Sequence, residues 1–306
     1  MNKKIIVGIV LIVAFLGVTY YYLTYENPAD LPDWVPTVIV SGVWQDTITF
    51  QNGDVTLAGT LDLPAGEGPF PVLVTVHGSS PVNRNDRLLL LYSDFFVQHG
   101  FAVLRYDKRG AAIGESTGKY LSVGTNDNNL ETLADDVVAG VEYVKSLDMI
   151  DSTRIGVMGL SQAGWIVPLA ASKSDDIAFF VAFSGPVMSV GQEIYYSELT
   201  GDVMGEGSMS LSEALIATES FEGDHGYDPI PTLEVVETPG LWILGGRDNS
   251  VPTDLSIKNL DSFIAQGKDF TYILYPNANH GLRDEDTGAY YPFLLDTLNW
   301  YTEKFE

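Results

Sequence analysis

Ser161, Asp248 and His280 have the residue types and the chain order that attack by a hydroxyl group would need. A serine hydroxyl is too weakly acidic to act alone. An imidazole can take its proton, and a carboxylate can fix the imidazole tautomer and steady the imidazolium. Ser161 lies in Gly159-Leu160-Ser161-Gln162-Ala163-Gly164, after a strand-like run at 154–158 and before the apolar, helix-compatible run 165–171. A serine on a tight strand-to-helix turn has its hydroxyl lifted clear of the sheet. Small neighbours are needed there because strand and helix come close. The N–H of Gln162 would then open a helix N-terminus, where free donors and the positive end of the dipole suit a developing oxyanion. Asp248 ends the loop after the apolar run Leu241–Leu244, and His280 follows the run Phe270–Tyr275. Both therefore fall just beyond strand ends, where open α/β sheets carry their ligand sites.

The chain has four histidines: His77, His99, His225 and His280. His99 precedes Gly100 at a helix end and reads as a capping residue. His225 reads as part of a surface loop, with a substrate contact as its alternative. His77 follows an apolar strand and is expected to hold the next turn by hydrogen bonds, which makes the N–H of Ser79 the second candidate oxyanion donor. His280 is left as the base. Asp107 and Arg109 read as structural partners bracing a loop. The adjacent carboxylates Asp135-Asp136 and Asp175-Asp176 are expected to face solvent. The run Asp284-Glu285-Asp286 reads as a solvated loop, with repulsion of anions or cation binding as alternatives. Trp165 and Trp242 fit core packing. Tyr195, Tyr196, Met204 and Met209 either line an acyl pocket or pack a cap on the core.

The elements that must hold these residues alternate between strand and helix. Strands are predicted at 38–43, 46–50 and 55–63, with Asn52-Gly53 as a hairpin turn between the second and third. A strand at 72–76, a helix at 88–98, a strand at 101–106 and a helix at 130–147 follow. Then come strands at 155–158, 177–183, 241–244 and 270–275, with helices after Ser161, at 255–266 and at 291–305. Short apolar strands alternating with helices imply a mainly parallel sheet covered on both faces, and the N-terminal hairpin adds an antiparallel edge. Between Gly185-Pro186 and Pro239-Gly240 the alternation lapses. That stretch, about 187–238, is expected to be a cap inserted after the sixth strand of the α/β core.

The N-terminus points to export. Asn2-Lys3-Lys4 precedes an uncharged run from Ile5 to Leu23 that ends among Tyr20, Tyr21, Tyr22 and Tyr25. Such a run is long enough to cross about 30 Å of hydrocarbon. The lysines favour a cytoplasmic N-terminus, and the tyrosines match an interfacial belt. Residues 1–25 are thus expected to be a single-pass anchor with the rest of the chain extracytoplasmic, or else a signal peptide cleaved to release it. Residues 26–36, with Pro28, Pro32 and Pro36, read as a linker, and 37–306 as the catalytic domain. A net charge of −25 on 306 residues disfavours nucleic acid and anionic membranes as partners of the soluble part. The excess suits either a high-salt source or an ordinary acidic exported protein. The absence of cysteine excludes disulfides, thiolate metal sites, a cysteine nucleophile and a lipoprotein anchor.

Five segments together carry a family resemblance: Thr75-Val76-His77-Gly78-Ser79, Tyr106-Asp107-Lys108-Arg109-Gly110, Gly159-Leu160-Ser161-Gln162, Gly245-Gly246-Arg247-Asp248 and Asn279-His280-Gly281. The chain resembles serine α/β-hydrolases of the esterase and acylaminopeptidase-like branch from about Asp46 to its C-terminus. The resemblance implies an α/β-hydrolase fold and ester cleavage through an acyl-enzyme. Amide cleavage of the aminopeptidase or acylaminoacyl-peptidase type is the alternative, and an inactive hydrolase fold serving as a surface binding protein is a third. It implies no cofactor and no metal, and a small ester or short peptide as substrate. The branch usually carries glycine where this chain has Ser80 and Ala163, and a more compact turn after Arg109-Gly110.

Overall fold

The computed structural model describes residues 44–122, 124, 129–202 and 207–306. The expected anchor, the linker, the strand at 38–43 and Met204 lie outside them. Among the described residues no helix is long and apolar enough to cross a membrane.

The chain begins with a hairpin of β1 (Trp44–Asn52) and β2 (Val55–Leu63), joined by a turn in which Gly53 adopts φ +57°. That angle is open to glycine without the Cβ penalty other residues meet. Six more strands follow: β3 (Phe70–Val76), β4 (Ala102–Tyr106), β5 (Ile150–Leu160), β6 (Phe179–Phe183), β7 (Gly240–Gly245) and β8 (Phe270–Tyr275). They form one sheet in the order β1-β2-β4-β3-β5-β6-β7-β8. The first two pairings are antiparallel and the other five parallel, so the sheet is mixed at one edge, as the hairpin signal implied.

Alternation along β6 sorts the two faces. Phe183 packs on Tyr92 of α1 (Arg87–Gln98) and Phe293 of α8 (Phe293–Phe305), and Phe179 packs on Tyr301 of α8. Phe180 instead meets Trp242 and Phe270, which Phe263 of α7 (Thr253–Ala265) covers. The same core takes in α2 (Asn129–Lys145) and α3 (Ala163–Lys173) through Val137, Val141 and Ile166. Trp165 is buried and donates its indole N–H to the Met188 carbonyl at 2.8 Å.

The segment between β6 and β7, where the alternation lapses, is helical. It holds α4 (Val190–Thr200), α5 (Leu211–Glu219) and the short α6 (Ile230–Val235). Ser189 with Gln192 and Ser210 with Glu213 form capping boxes at the starts of the first two. Each box satisfies two helix-end donors locally.

One carboxylate expected at the surface is elsewhere. Asp136 is 1% exposed, pairs with Arg109 and accepts from the Asn52 amide at 2.8 Å. The partner of Arg109 is therefore on α2 and not Asp107, which instead binds Arg84. Asp62 of β2 is likewise buried, bound to Arg105 of β4 at 2.6 Å and to the Ser93 hydroxyl at 2.5 Å. Asp135 and Asp176 do form surface ion pairs, with Lys173 and Lys145.

Candidate active site

Ser161 follows β5 directly at φ +62°, in the left-handed region. A non-glycine residue there costs roughly 1–3 kcal/mol and persists only where its surroundings enforce it. The surroundings are close-packed backbone. A Cβ on Gly159 would overlap the Val76 carbonyl oxygen, and one on Gly164 would overlap the Cα of Gly185. The Cβ of Ala163 would lie only 2.5 Å from a Cβ on Gly159, so glycine at 159 is what makes room for alanine at 163. The turn is closed by the Ser161 N–H donating to Phe183 at 2.9 Å and the Gly164 N–H donating to Ser161 at 2.7 Å.

The loop after β3 runs beside this turn: a Cβ on Gly78 would stand 3.9 Å from the Cβ of Ser161. His77 anchors it by donating from Nε2 to the Tyr106 carbonyl at 2.6 Å. Burial, with the Lys108 charge adding to it, pushes the His77 pKa down to about 3, so the ring is neutral. Gln162 is 2% exposed. Among the described residues, no acceptor takes the backbone N–H of Ser79 or of Gln162.

Asp248 and His280 come from the ends of neighbouring parallel strands, β7 and β8. Gly245 permits their loops to meet, because a Cβ there would lie 2.5 Å from the Ala278 carbonyl oxygen and 2.7 Å from that of Asn279. Oδ1 of Asp248 accepts the N–H groups of Ser250 and Val251, each at 2.8 Å, which fixes the carboxylate. Oδ2 then accepts Nδ1–H of His280 at 2.8 Å, leaving Nε2 as the free ring nitrogen. The Asn279 side chain shapes the His280 loop by accepting from Gly281 and Arg283 at 3.1 and 3.2 Å. Asp284 locks the rest, accepting from Asn277, Thr287 and Tyr291. These bonds hold its carboxyl well below the usual range.

Burial works against the His280 imidazolium, and the charge and hydrogen bond of Asp248 work for it. With help from Asp202 and Glu193 they raise its pKa from 6.5 to about 9. Glu193 comes from α4. Burial drives its carboxyl up to about 8, with Asp248 and Asp202 adding to the rise, while His280 acts in the opposite sense. Tyr196, one turn further into α4, donates to the Asp248 carbonyl at 3.1 Å and lines a cavity of about 190 Å³ with Leu211, Leu215 and Thr253. Met209 is 44% exposed.

The structure thus joins Asp248 to His280 by a hydrogen bond, and sets Ser161, Gln162 and Ser79 together at the ends of β5 and β3. Among the described residues no hydrogen bond links Ser161 to His280. Such contacts commonly tighten only with substrate bound. His99 donates to the Phe95 carbonyl at 2.8 Å at the end of α1, and His225 is exposed and bonded to Ser189. Among the described residues no cluster of His, Asp or Glu could hold a metal ion.

Sequence reasoning gave no role to Lys108, Tyr120 or Glu193. Lys108 is 1% exposed and, among the described residues, pairs with no carboxylate. Burial pulls its pKa down to about 7. Its position inside the Tyr106–Gly110 motif was the available signal.

Residues 91–306 match the prolyl oligopeptidase family. The chain is 27% identical over 249 residues to esterase EstD of Thermotoga maritima, covering 72% of this chain and 55% of the esterase. It is 23% identical over 223 residues to acylamino-acid-releasing enzyme 1 of Oryza sativa, a match spanning 69% of this chain but 27% of that enzyme. Among solved structures, an esterase of Pyrococcus furiosus superposes with a TM-score of 0.63 at 18% identity, covering 85% of this chain and 91% of the esterase. The acylaminoacyl peptidase of Pyrococcus horikoshii gives 0.63 at 19% identity over 88% of this chain and 43% of its own. These structures share the α/β-hydrolase fold. The chain belongs to the prolyl oligopeptidase family, within the esterase and acylaminopeptidase-like branch of the serine α/β-hydrolases.

Proposed function

We propose that this serine hydrolase cleaves carboxylic esters through a Ser161–His280–Asp248 triad. The observation that carries the reading is the 2.8 Å bond from His280 Nδ1–H to Asp248, which leaves Nε2 as an acceptor. Nε2 takes the Ser161 proton as Oγ attacks the ester carbonyl carbon. The N–H groups of Gln162 and Ser79 hold the resulting oxyanion. The imidazolium then gives its proton to the leaving alkoxide, and the acyl group stays on Ser161. Water enters, loses a proton to His280 and attacks the acyl carbon, and the acid and free serine are released.

Ser161→Ala should abolish labelling by a fluorophosphonate probe and hydrolysis of p-nitrophenyl esters without altering thermal unfolding. Undiminished turnover in that variant would refute the assignment, and wild-type protein inert to every such probe would favour a binding role. Amide cleavage is the second reading, supported by the acylamino-acid-releasing relatives. A p-nitrophenyl ester series run beside aminoacyl-naphthylamides and an acylaminoacyl anilide separates the two.

The uncharged run 5–23, with its flanking lysines and tyrosines, supports a membrane-anchored, extracytoplasmic enzyme. Fractionation of the full chain beside one starting at Pro36 tests this. Equal release of both into the soluble fraction, with no cleavage, would exclude an anchor.

A further inference from the structure

The ammonium of Lys108 makes three hydrogen bonds and joins two loops. Nζ donates to the Gly78 carbonyl at 2.7 Å, to the Ser79 carbonyl at 3.3 Å and to Oε1 of Gln162 at 3.0 Å. The first two acceptors belong to the loop after β3 and the third to the turn after β5. Tyr120 adds a fourth bond, donating its hydroxyl to the Ser79 carbonyl at 2.7 Å, and its ring lies 5.5 Å from Nζ.

We infer that Lys108, assisted by Tyr120, is a positioning residue that sets the direction of the oxyanion donors. The reason is peptide geometry. In a trans peptide the C=O and the following N–H point in opposite directions. Among the described residues the single cis bond is Gly68–Pro69, so the peptides here are trans. Drawing the Gly78 carbonyl onto Nζ therefore turns the Ser79 N–H away from Lys108, and drawing in the Ser79 carbonyl does the same for the Ser80 N–H. The bond to Oε1 pins the side chain of Gln162, whose own N–H is the other donor. One buried cation thus fixes the separation of the two donors as well as their direction. A lysine suits the task because its three N–H groups match three acceptors that lie on two chain segments. It also explains why a buried lysine without a carboxylate partner is tolerated here.

This inference rests on the proposed roles of Ser161, Gln162 and Ser79, and the experiment separates the two ideas. Ser161→Ala, Lys108→Met and Tyr120→Phe are measured together for kcat, KM and thermal unfolding on one p-nitrophenyl ester. A misdirected donor is felt in the transition state, where losing a donor outright costs about 10²–10³ in kcat. Lys108→Met is accordingly expected to lower kcat about 10–100-fold, with KM changed less than about threefold. Tyr120→Phe is expected to lower kcat by a smaller factor with KM unchanged. In both, the preference for an oxygen ester over its thiono analogue should shrink, since a well-placed donor favours the harder oxyanion. A role in packing alone would lower the melting temperature and leave that ratio as it was. If Lys108→Met does not fold, Tyr120→Phe carries the test, because Tyr120 is only partly buried. An inactive Ser161→Ala together with folded Lys108 and Tyr120 variants of wild-type kcat and thiono ratio would overturn the inference alone. An active Ser161→Ala would overturn the reading beneath it.

Discussion

Replacing Asp248 by asparagine changes one atom and should disable His280 in two measurable ways. The rise of the His280 pKa from 6.5 to about 9 amounts to roughly 3 kcal/mol in favour of the imidazolium. Burial opposes that rise, and Asp248 supplies the two largest contributions in its favour. Without the carboxylate charge, burial is left against only Asp202 and Glu193. A base works only when deprotonated, so the wild-type rate is expected to climb with pH through about 9. In Asp248→Asn the acid limb of kcat/KM should fall by about 2 pH units or more, to the ordinary imidazole range or below. The rate plateau should fall as well. The N–H groups of Ser250 and Val251, each 2.8 Å from Oδ1, will hold the amide oxygen in place. The amide nitrogen must then face Nδ1, which drives the ring proton onto Nε2, where the Ser161 proton should go. That tautomer error costs about 10⁴ in kcat where a serine protease triad has been altered in the same way. The assay is p-nitrophenyl ester hydrolysis from pH 5 to 10.5, with circular dichroism as the check on folding. A limb still near pH 9, or a rate within tenfold of wild type, would refute the reasoning.

Three further outcomes follow from the same contacts. Glu193→Gln removes a negative charge that supports the imidazolium, so the acid limb should move down by roughly 0.5–1 pH unit, the effect of about 1 kcal/mol of charge interaction; a limb that stays or rises in the same rate profile contradicts this. Arg105→Met leaves Asp62 buried without its cation and should cost about 3–5 kcal/mol in urea unfolding. Restoring stability by adding Asp62→Leu would confirm the cause, whereas a loss below about 1 kcal/mol would deny it. Gly164→Ala puts a methyl group into the Cα of Gly185, and should lose about 1–3 kcal/mol or more together with turnover, because the Ser161 turn must shift. Full activity with an unchanged melting temperature would mean that the turn is looser than its packing implies.

The sheet and the candidate triad were legible because both are written in local pattern. Apolar runs mark the parallel strands, Asn52-Gly53 marks the antiparallel edge, and Ser161, Asp248 and His280 each fall at a strand end in a fixed order. The helices of the 187–238 segment were not legible because they are short and their apolar period is weak. Their strongest signals are the capping pairs Ser189/Gln192 and Ser210/Glu213, which precede weakly periodic stretches. Asp136 was misread for a different reason. In a chain with 41 acidic residues the default is a solvated carboxylate, and only the packing of α2 against the loop after β4 brings Arg109 to it. Lys108 and Glu193 belong to the same class: a partner on a distant segment gives each its meaning.

Those two residues bear on how such a site would separate charge. In the proposed reaction a negative charge grows on the substrate oxygen while a positive one grows on His280. Lys108 stands on the oxyanion side, bonded to the Gly78 and Ser79 carbonyls and to Gln162. Asp248, Glu193 and Asp202 act on the His280 side, and all three favour the imidazolium. The fixed charges are thus arranged in the sense in which the transition state polarises, and partial burial keeps water from cancelling them. The same arrangement has a cost at neutral pH, because a base held near 9 spends most of its time protonated. A site built this way trades readiness of the base for stabilisation of the charge-separated state. Its rate should therefore be set by two opposed titrations, the freeing of His280 toward pH 9 and the loss of the Lys108 charge from about pH 7 upward.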